Sequence, residues 1–233
     1  MDTLEPLPNS KTRERATYDR VAAHYDRAIG PLERRFLSRL RAETLSALPA
    51  AGRILEIGAG TGLNFPYYPR AARGVATELS REMLRQAQTK SRPVGVHLAQ
   101  NSAERLPFAD ASFDAACATL LFCSVVSPDA AFAELRRVVK PGGTIALLEH
   151  VRPPGVLGWL FDLLNVLTVP LFEDHFNRRT ADTARRAGLQ ILRVERRAFG
   201  IINLIFCENK AGRSVGAQTS AQQSKDDDAR ELS

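Results

Sequence analysis

The sequence is poor in the residues that build redox, metal and disulfide chemistry. Of its 233 residues, three are cysteine and four are histidine. Cys117, Cys123 and Cys207 each lie in an apolar run and form no C-x-x-C pair, so they read as reduced, buried thiols rather than as a redox or metal centre. His24, His97, His150 and His175 are scattered without metal-ligand spacing, and no metal is expected. No apolar run reaches the roughly 18 residues of a membrane-crossing helix. The segment Met1 to Lys11 is polar and contains prolines, unlike a signal peptide, which makes the cytoplasm the expected compartment.

What is present describes a globular chain. Hydrophobic residues make up 44% and charged residues 25%, which excludes disordered, collagen-like and disulfide-scaffold classes. The length suits one domain with short appendages and a core that needs no staple. Lysine and arginine number 32 against 26 acidic residues, a net charge of +6. Such a surplus suits a membrane surface, a nucleic acid or an acidic ligand. Part of it is local: nine basic residues face five acidic ones between Lys11 and Glu43. That face is either plainly solvated or turned toward a membrane.

Residues 1–12 read as a flexible leader and residues 211–233 as a disordered tail, because neither has apolar periodicity. Residues 13–210 read as one domain. Tyr18 to Leu48 carry helical spacing interrupted at Gly30-Pro31, which predicts two cap helices over 13–48 meeting there. From Arg53 onward, short apolar strands alternate with helices. Strands are predicted at Arg53–Ile57, Gly74–Glu78, Gly95–Ala99, Ser112–Leu121 and Thr144–Glu149. Ser80 is the expected N-cap of one helix. A second helix runs from Ser127-Pro128 to Val139, and Lys140-Pro141-Gly142-Gly143 reads as a turn. The alternation predicts an α/β fold, a mostly parallel sheet with helices on both faces. Thr180–Ala187 reads as a short helix. Gln190–Arg197 and Gly200–Glu208 are spaced as a hairpin that adds an antiparallel C-terminal edge strand.

The strongest signal is Glu56-Ile57-Gly58-Ala59-Gly60-Thr61-Gly62. A strand ends in a carboxylate and then in three alternate glycines, which let backbone approach a ligand closely. The spacing differs from the G-x-G-x-x-G of dinucleotide binders. Glu78, 16 residues past Gly62, ends the next strand, where a carboxylate can take both ribose hydroxyls. With Asn101-Ser102-Ala103-Glu104-Arg105-Leu106-Pro107-Phe108, Phe113-Asp114 and Pro141-Gly142-Gly143, the chain resembles the class I S-adenosylmethionine-dependent methyltransferases over residues 15–209. The resemblance implies a Rossmann-like, seven-stranded sheet and S-adenosyl-L-methionine as cofactor. It implies cofactor contacts at Tyr18, Tyr25, Glu56, Gly58, Ala59, Gly60, Gly62 and Glu78. Leu79, Ser102, Ala103, Glu104, Thr119 and Leu120 complete the implied set. Ser102 departs from the pattern, since the family has an adenine-binding aspartate there. Asn101 or the Ala103 N–H is then expected to help.

Cys117–Val125, Leu147–Val151, Asn177-Arg178-Arg179-Thr180 and Phe199–Phe206 are similar to a subgroup of that family. It includes soluble-type bacterial phosphatidylethanolamine N-methyltransferases and membrane-associated thiol methyltransferases. Quinone-ring C-methyltransferases share its core motifs. The resemblance implies a lipophilic or small-molecule methyl acceptor, with phosphatidylethanolamine or a related phospholipid preferred. It also places a substrate-side insertion over residues 155–188. Within that insertion the apolar run Val156–Phe172 either packs on the sheet or lines an acyl pocket at the bilayer interface, where Trp159 suits the depth. An amine near pKa 10 must lose a proton before attack. His150, Tyr25, Asp174 and His175 are the candidate acceptors. His150 is best placed at the carboxyl edge of the sheet, although a structural histidine would sit there equally well. The chain is expected to be a monomer, peripheral on the inner membrane face. Thiol, quinone or other acceptors are the alternatives, then a non-catalytic cofactor- or partner-binding module. A nucleic-acid substrate is disfavoured, because no aromatic-interleaved basic patch is present.

Overall fold

The computed structural model describes residues 10–150 and 180–210, with side chains from residue 17 onward. Residues 1–9 of the expected leader, the tail and the Val156–Phe172 run lie outside the described residues, as do Asp174 and His175, while residues 10–12, expected in the leader, already belong to the first helix.

The chain forms α1 (Ser10–Leu32), a π-turn (Glu33–Leu37), α2 (Ser38–Leu45), β1 (Ala51–Ile57), β2 (Ala71–Glu78), α3 (Arg81–Gln88) and β3 (Val96–Gln100). It continues with β4 (Phe113–Thr119), α4 (Pro128–Val138), β5 (Val139–His150), α5 (Thr180–Arg186), β6 (Gln190–Arg197) and β7 (Ile202–Glu208). The seven strands make one sheet in the order β3-β2-β1-β4-β5-β7-β6. β1 to β5 run parallel, and β7 pairs antiparallel with both β5 and β6. The antiparallel strand therefore stands one place in from the edge, with β6 outermost.

Strand side chains alternate between two cores, which is why the strands read as nearly continuous apolar runs. Ile54, Ala115, Cys117, Ala146, Leu148, Leu204 and Phe206 face the side that the π-turn covers with Leu37 and α2 covers with Leu40 and Leu45. Leu55, Ile57, Ala116, Ala118, Ile145, Leu147 and Cys207 face the side that α4 covers with Phe132, Leu135 and Val138. The Phe122 and Phe132 rings stack there at 4.2 Å. All three cysteines are buried. Burial pushes the Cys207 thiol up to about 12.

Two boundaries differ from the sequence expectation. α1 continues through Gly30 and Pro31 to Leu32, and the irregularity comes one turn later. Proline removes one backbone donor but can continue a helix with a kink. The wider turn is closed where the Ser38 N–H donates to the Glu33 carbonyl, five residues back. Residues 140–143 are also no free turn, because β5 begins at Val139 and absorbs them as a bulge. Gly142 takes φ +78°, and its N–H donates to the Asn209 carbonyl at 2.7 Å. The Asn209 Nδ2 in turn donates to the Val139 carbonyl at 2.6 Å.

Two glycines give a test of this packing. A Cβ on Gly74 would collide with the Ile54 carbonyl across the β1–β2 pair, whereas one on Gly142 meets nothing within 4 Å. Gly74→Ala should cost about 3 kcal/mol or more in urea unfolding, and Gly142→Ala only the left-handed penalty of about 1–2 kcal/mol. Equal losses would contradict the β1–β2 register.

Candidate functional site

The glycine loop follows β1 at the point where the sheet order turns from β2 on one side to β4 on the other. Crevices of open α/β sheets form at such a point. Gly58, Gly60 and Gly62 all adopt left-handed backbone, at φ +69°, +55° and +83°. They are glycines for different reasons. A Cβ on Gly58 would strike Leu121, and one on Gly62 would strike the Phe65 ring, while one on Gly60 would enter open space. Only Gly60 is thus kept bare toward a ligand. Its N–H donates to Glu78 Oε2 at 2.9 Å, and Glu78 Oε1 accepts the Ser80 N–H at 2.9 Å. Glu78 therefore ties the loop to the end of β2 while facing the crevice. Each carboxylate oxygen keeps further acceptor capacity for hydroxyls. Burial raises the Glu78 pKa above the usual carboxylate range, and the backbone N–H groups oppose that rise.

The crevice and the solvent at its mouth together span about 870 Å³. Tyr18, Tyr25, Gly58, Ala59, Gly60, Glu78 and Leu79 all line it. So do Ser102, Ala103, Glu104, Thr119 and Leu120 from the far side. Gly62 does not, since it packs under Phe65. Glu56 does not either, because alternation along β1 turns it to the same face as Ile54. There its carboxylate accepts from the Asn64 amide and the Tyr68 hydroxyl, and it is fully buried. Burial raises its pKa, while Tyr68, Asn64 and the Arg41 charge pull it down.

Sequence reasoning missed Arg41. It lies on α2, is 4% exposed and lines the crevice. Its Nε donates to both Glu33 oxygens at 3.0 and 3.1 Å, and its Nη1 donates to Asn64 Oδ1 at 3.0 Å and Thr119 Oγ1 at 2.6 Å. No local signal separates it from the other arginines of a basic stretch.

α1 covers the opening. Asp19 accepts the Ser80 hydroxyl at 2.5 Å and the Glu82 N–H at 3.2 Å, which joins α1 to the start of α3. Seven residues on, Asp26 accepts the Thr61 hydroxyl at 2.6 Å and pairs with Lys90 at 2.5 Å. The seven-residue spacing puts both carboxylates on one helix face. Their neighbours Tyr18 and Tyr25 share it and reach the crevice. Ser80 also caps α3 as expected, accepting the Met83 N–H at 3.1 Å.

His150 ends β5 opposite Ile202 and does not line the crevice. Burial lowers its pKa, so it is neutral at pH 7. Among the described residues no group of three or more His, Cys, Asp or Glu is arranged to hold a metal ion. No described helix is long and apolar enough to cross a membrane.

A glycine loop held by a ribose-competent carboxylate, at the switch point of this sheet, defines a Rossmann-like nucleoside-cofactor domain. A family model described as a methyltransferase domain matches residues 55–147. Phosphatidylethanolamine N-methyltransferase of Cereibacter sphaeroides is 35% identical over 103 residues, 42% of this chain and 51% of that one. Demethylmenaquinone methyltransferase of Roseiflexus sp. is 34% identical over 158 residues, 65% of this chain and 66% of that one. The chain thus spans about half to two thirds of these curated relatives. A solved S-adenosylmethionine-dependent methyltransferase from Thermotoga maritima superposes with a TM-score of 0.65 at 23% identity, covering 84% of this chain and 100% of that one. Residues 55–147 carry the methyltransferase domain, and the fold is that of S-adenosylmethionine-dependent methyltransferases. Domain and fold imply S-adenosyl-L-methionine as cofactor.

The residues present fit that group. Asn101 lines the crevice with both side-chain polar atoms buried and unpartnered. A buried amide without partners is costly, and an adenine edge offers it both a donor and an acceptor. The Ser102 hydroxyl is engaged by the Glu104 N–H at 3.3 Å. Asn101 is therefore the better substitute for the family's aspartate.

Two measurements follow. Asn101→Leu should weaken cofactor binding about tenfold yet leave thermal stability equal or higher, because an unpaired buried amide is removed. Lower stability with unchanged affinity would make Asn101 structural. For Glu78, the ionised carboxylate is the hydroxyl acceptor, and its raised pKa moves loss of affinity into mildly acidic solution. Calorimetric affinity should fall as pH drops through a value above 4.5 in the wild type. In Glu78→Gln it should be weaker, by about 2–3 kcal/mol, and flat across that range. A flat wild-type profile would contradict the role.

Proposed function

We propose that the protein transfers a methyl group from S-adenosyl-L-methionine to a lipophilic acceptor, the amine of phosphatidylethanolamine or a related phospholipid at a membrane surface. The observation that carries this reading is the apolar wall of the crevice at the end of β4. Leu63, Leu120, Leu121 and Val125 line it beside Tyr25. Relatives named for phosphatidylethanolamine and for demethylmenaquinone support an acceptor of lipid character.

The cofactor, when bound, supplies a sulfonium methyl open to in-line displacement. The chain's own residues bind, orient and exclude. Glu78 takes the ribose hydroxyls, Asn101 and the Ala103 N–H meet the adenine, and bare Gly60 admits the backbone approach. Tyr18 and Tyr25, carried on α1, shield the crevice from water, which strengthens every polar contact inside. Nucleophile and methyl must be held within about 3–3.5 Å and in line. The apolar wall favours a neutral amine over an ammonium, since a buried charge without a partner is costly. Of the candidate proton acceptors among the described residues, Tyr25 lines the crevice and His150 does not. His150, neutral at pH 7, can act only through water or an intervening group.

Methylation of a quinone ring is the second reading. The quinone relative matches a longer share of the chain than the phospholipid one does. Methyl-labelled cofactor, offered with phosphatidylethanolamine vesicles, a demethylated quinone, small thiols and RNA in parallel, separates the readings. Label should enter the lipid amine. Label in quinone or thiol with none in lipid would overturn the phospholipid reading, and no label in any acceptor would favour a non-catalytic module.

A further inference from the structure

A second groove lies away from the crevice, where the π-turn and α2 meet the tip of the β6–β7 hairpin. Arg35, Phe36, Arg39, Leu40, Glu43 and Arg197 line it. Arg197 is neutralised there, pairing with Glu43 and Glu195 at 2.6 Å each. Arg35 and Arg39, which line the groove, are exposed and make no ion pair among the described residues. The groove is thus rimmed by uncompensated arginine, while its one lining carboxylate, Glu43, is already spent on Arg197.

The hairpin tip adds an apolar point. Phe199 is 92% exposed. It and Ala198 hold left-handed backbone at φ +56° and +48°, a conformation glycine or asparagine would adopt more cheaply. Such outliers gather at functional surfaces. Leu192 on β6 and Leu32 at the end of α1 are exposed as well, at 53% and 48%. Ile201 behind the tip and Phe36 in the groove pack on one core cluster, so tip and groove are fixed to the same body.

We propose that this groove and hairpin tip form a docking surface for an anionic bilayer, with the arginines on lipid phosphates and Phe199 entering the interface. Charge complementarity and the protruding aromatic point to a bilayer rather than to nucleic acid. A nucleic-acid platform interleaves several stacking aromatics with its cations, and here one aromatic projects beyond a basic rim. The inference rests on the lipid-surface reading of function and adds where the surface is. Arginine at a bilayer contributes attraction that salt screens, because the Debye length falls from about 10 Å at 0.1 M to about 3 Å at 1 M. Apolar insertion is not screened in that way.

The test is vesicle sedimentation of the full chain with phosphatidylcholine alone or mixed with phosphatidylglycerol, at low and high salt. Wild type, Phe199→Ala and the double variant Arg35→Gln/Arg39→Gln are compared. Turnover is measured in parallel on a water-soluble, short-chain phosphatidylethanolamine. Wild type should bind the anionic vesicles. Phe199→Ala should bind about tenfold more weakly with an unchanged salt slope. The double variant should bind more weakly with a shallower slope. Both should keep cofactor affinity and soluble turnover. Wild-type protein left in the supernatant with anionic vesicles at low salt overturns the inference. So do variants that bind like wild type, even if lipid methylation stands. Variants that lose duplex RNA binding but keep vesicle binding assign the surface to nucleic acid instead. Vesicle binding through these residues without turnover of any lipid amine upholds the docking surface and removes the phospholipid reading alone.

Discussion

A carboxylate buried beneath the glycine loop constrains most of what surrounds the crevice. Glu56 has no access to solvent, and such a group is tolerated only with partners. Tyr68 and Asn64 supply hydrogen bonds, and Arg41 supplies charge through Asn64. Arg41 also binds Glu33 in the π-turn and Thr119 at the end of β4. One network therefore links β1, the segment after the loop, the base of the cap helices and the end of β4 at the crevice. Breaking a buried pair by removing one partner typically costs about 3–5 kcal/mol. The cap region is in this sense part of the domain rather than an appendage.

Above that network, Glu78 and α1 divide the labour. Glu78 holds the Gly60 N–H and the first turn of α3, so a ligand hydroxyl meets a carboxylate that is already oriented. α1 is latched at two points on one face, Asp19 to α3 and Asp26 to Thr61 and Lys90. The tyrosines beside those carboxylates then close the crevice. The latch is polar and partly exposed, whereas the network below it is buried. The cover should therefore open at lower cost than the floor deforms.

Much of this was legible in the sequence where a residue type has few structural uses. Alternate glycines after a strand predict left-handed backbone, and all three have it. Glu78 at a strand end and Ser80 before a helix were readable for the same reason. The central strands β1, β4 and β5 were readable because a parallel sheet buries both their faces, and β6 and β7 because their spacing is that of a hairpin. Legibility failed where chemistry depends on which way a side chain turns. Glu56 sits at a strand end like Glu78, yet alternation buries it beneath the loop. Arg41 has the local signature of a surface arginine, and only tertiary packing buries it. Gly30-Pro31 signals a helix break, but the chain takes a π-turn one turn later. The left-handed Ala198-Phe199 pair gives no sequence signal, since neither residue favours that conformation.

The central claim is that the crevice under α1 is the S-adenosylmethionine site. Amide hydrogen exchange with and without the cofactor tests it most directly. Added cofactor should slow exchange at residues 58–61, 78–80 and 101–104, and along α1 from Tyr18 to Ile29. It should leave β6 and β7 unchanged. Saturating cofactor that protects other segments, or protects the loop while α1 exchanges faster, would contradict the account.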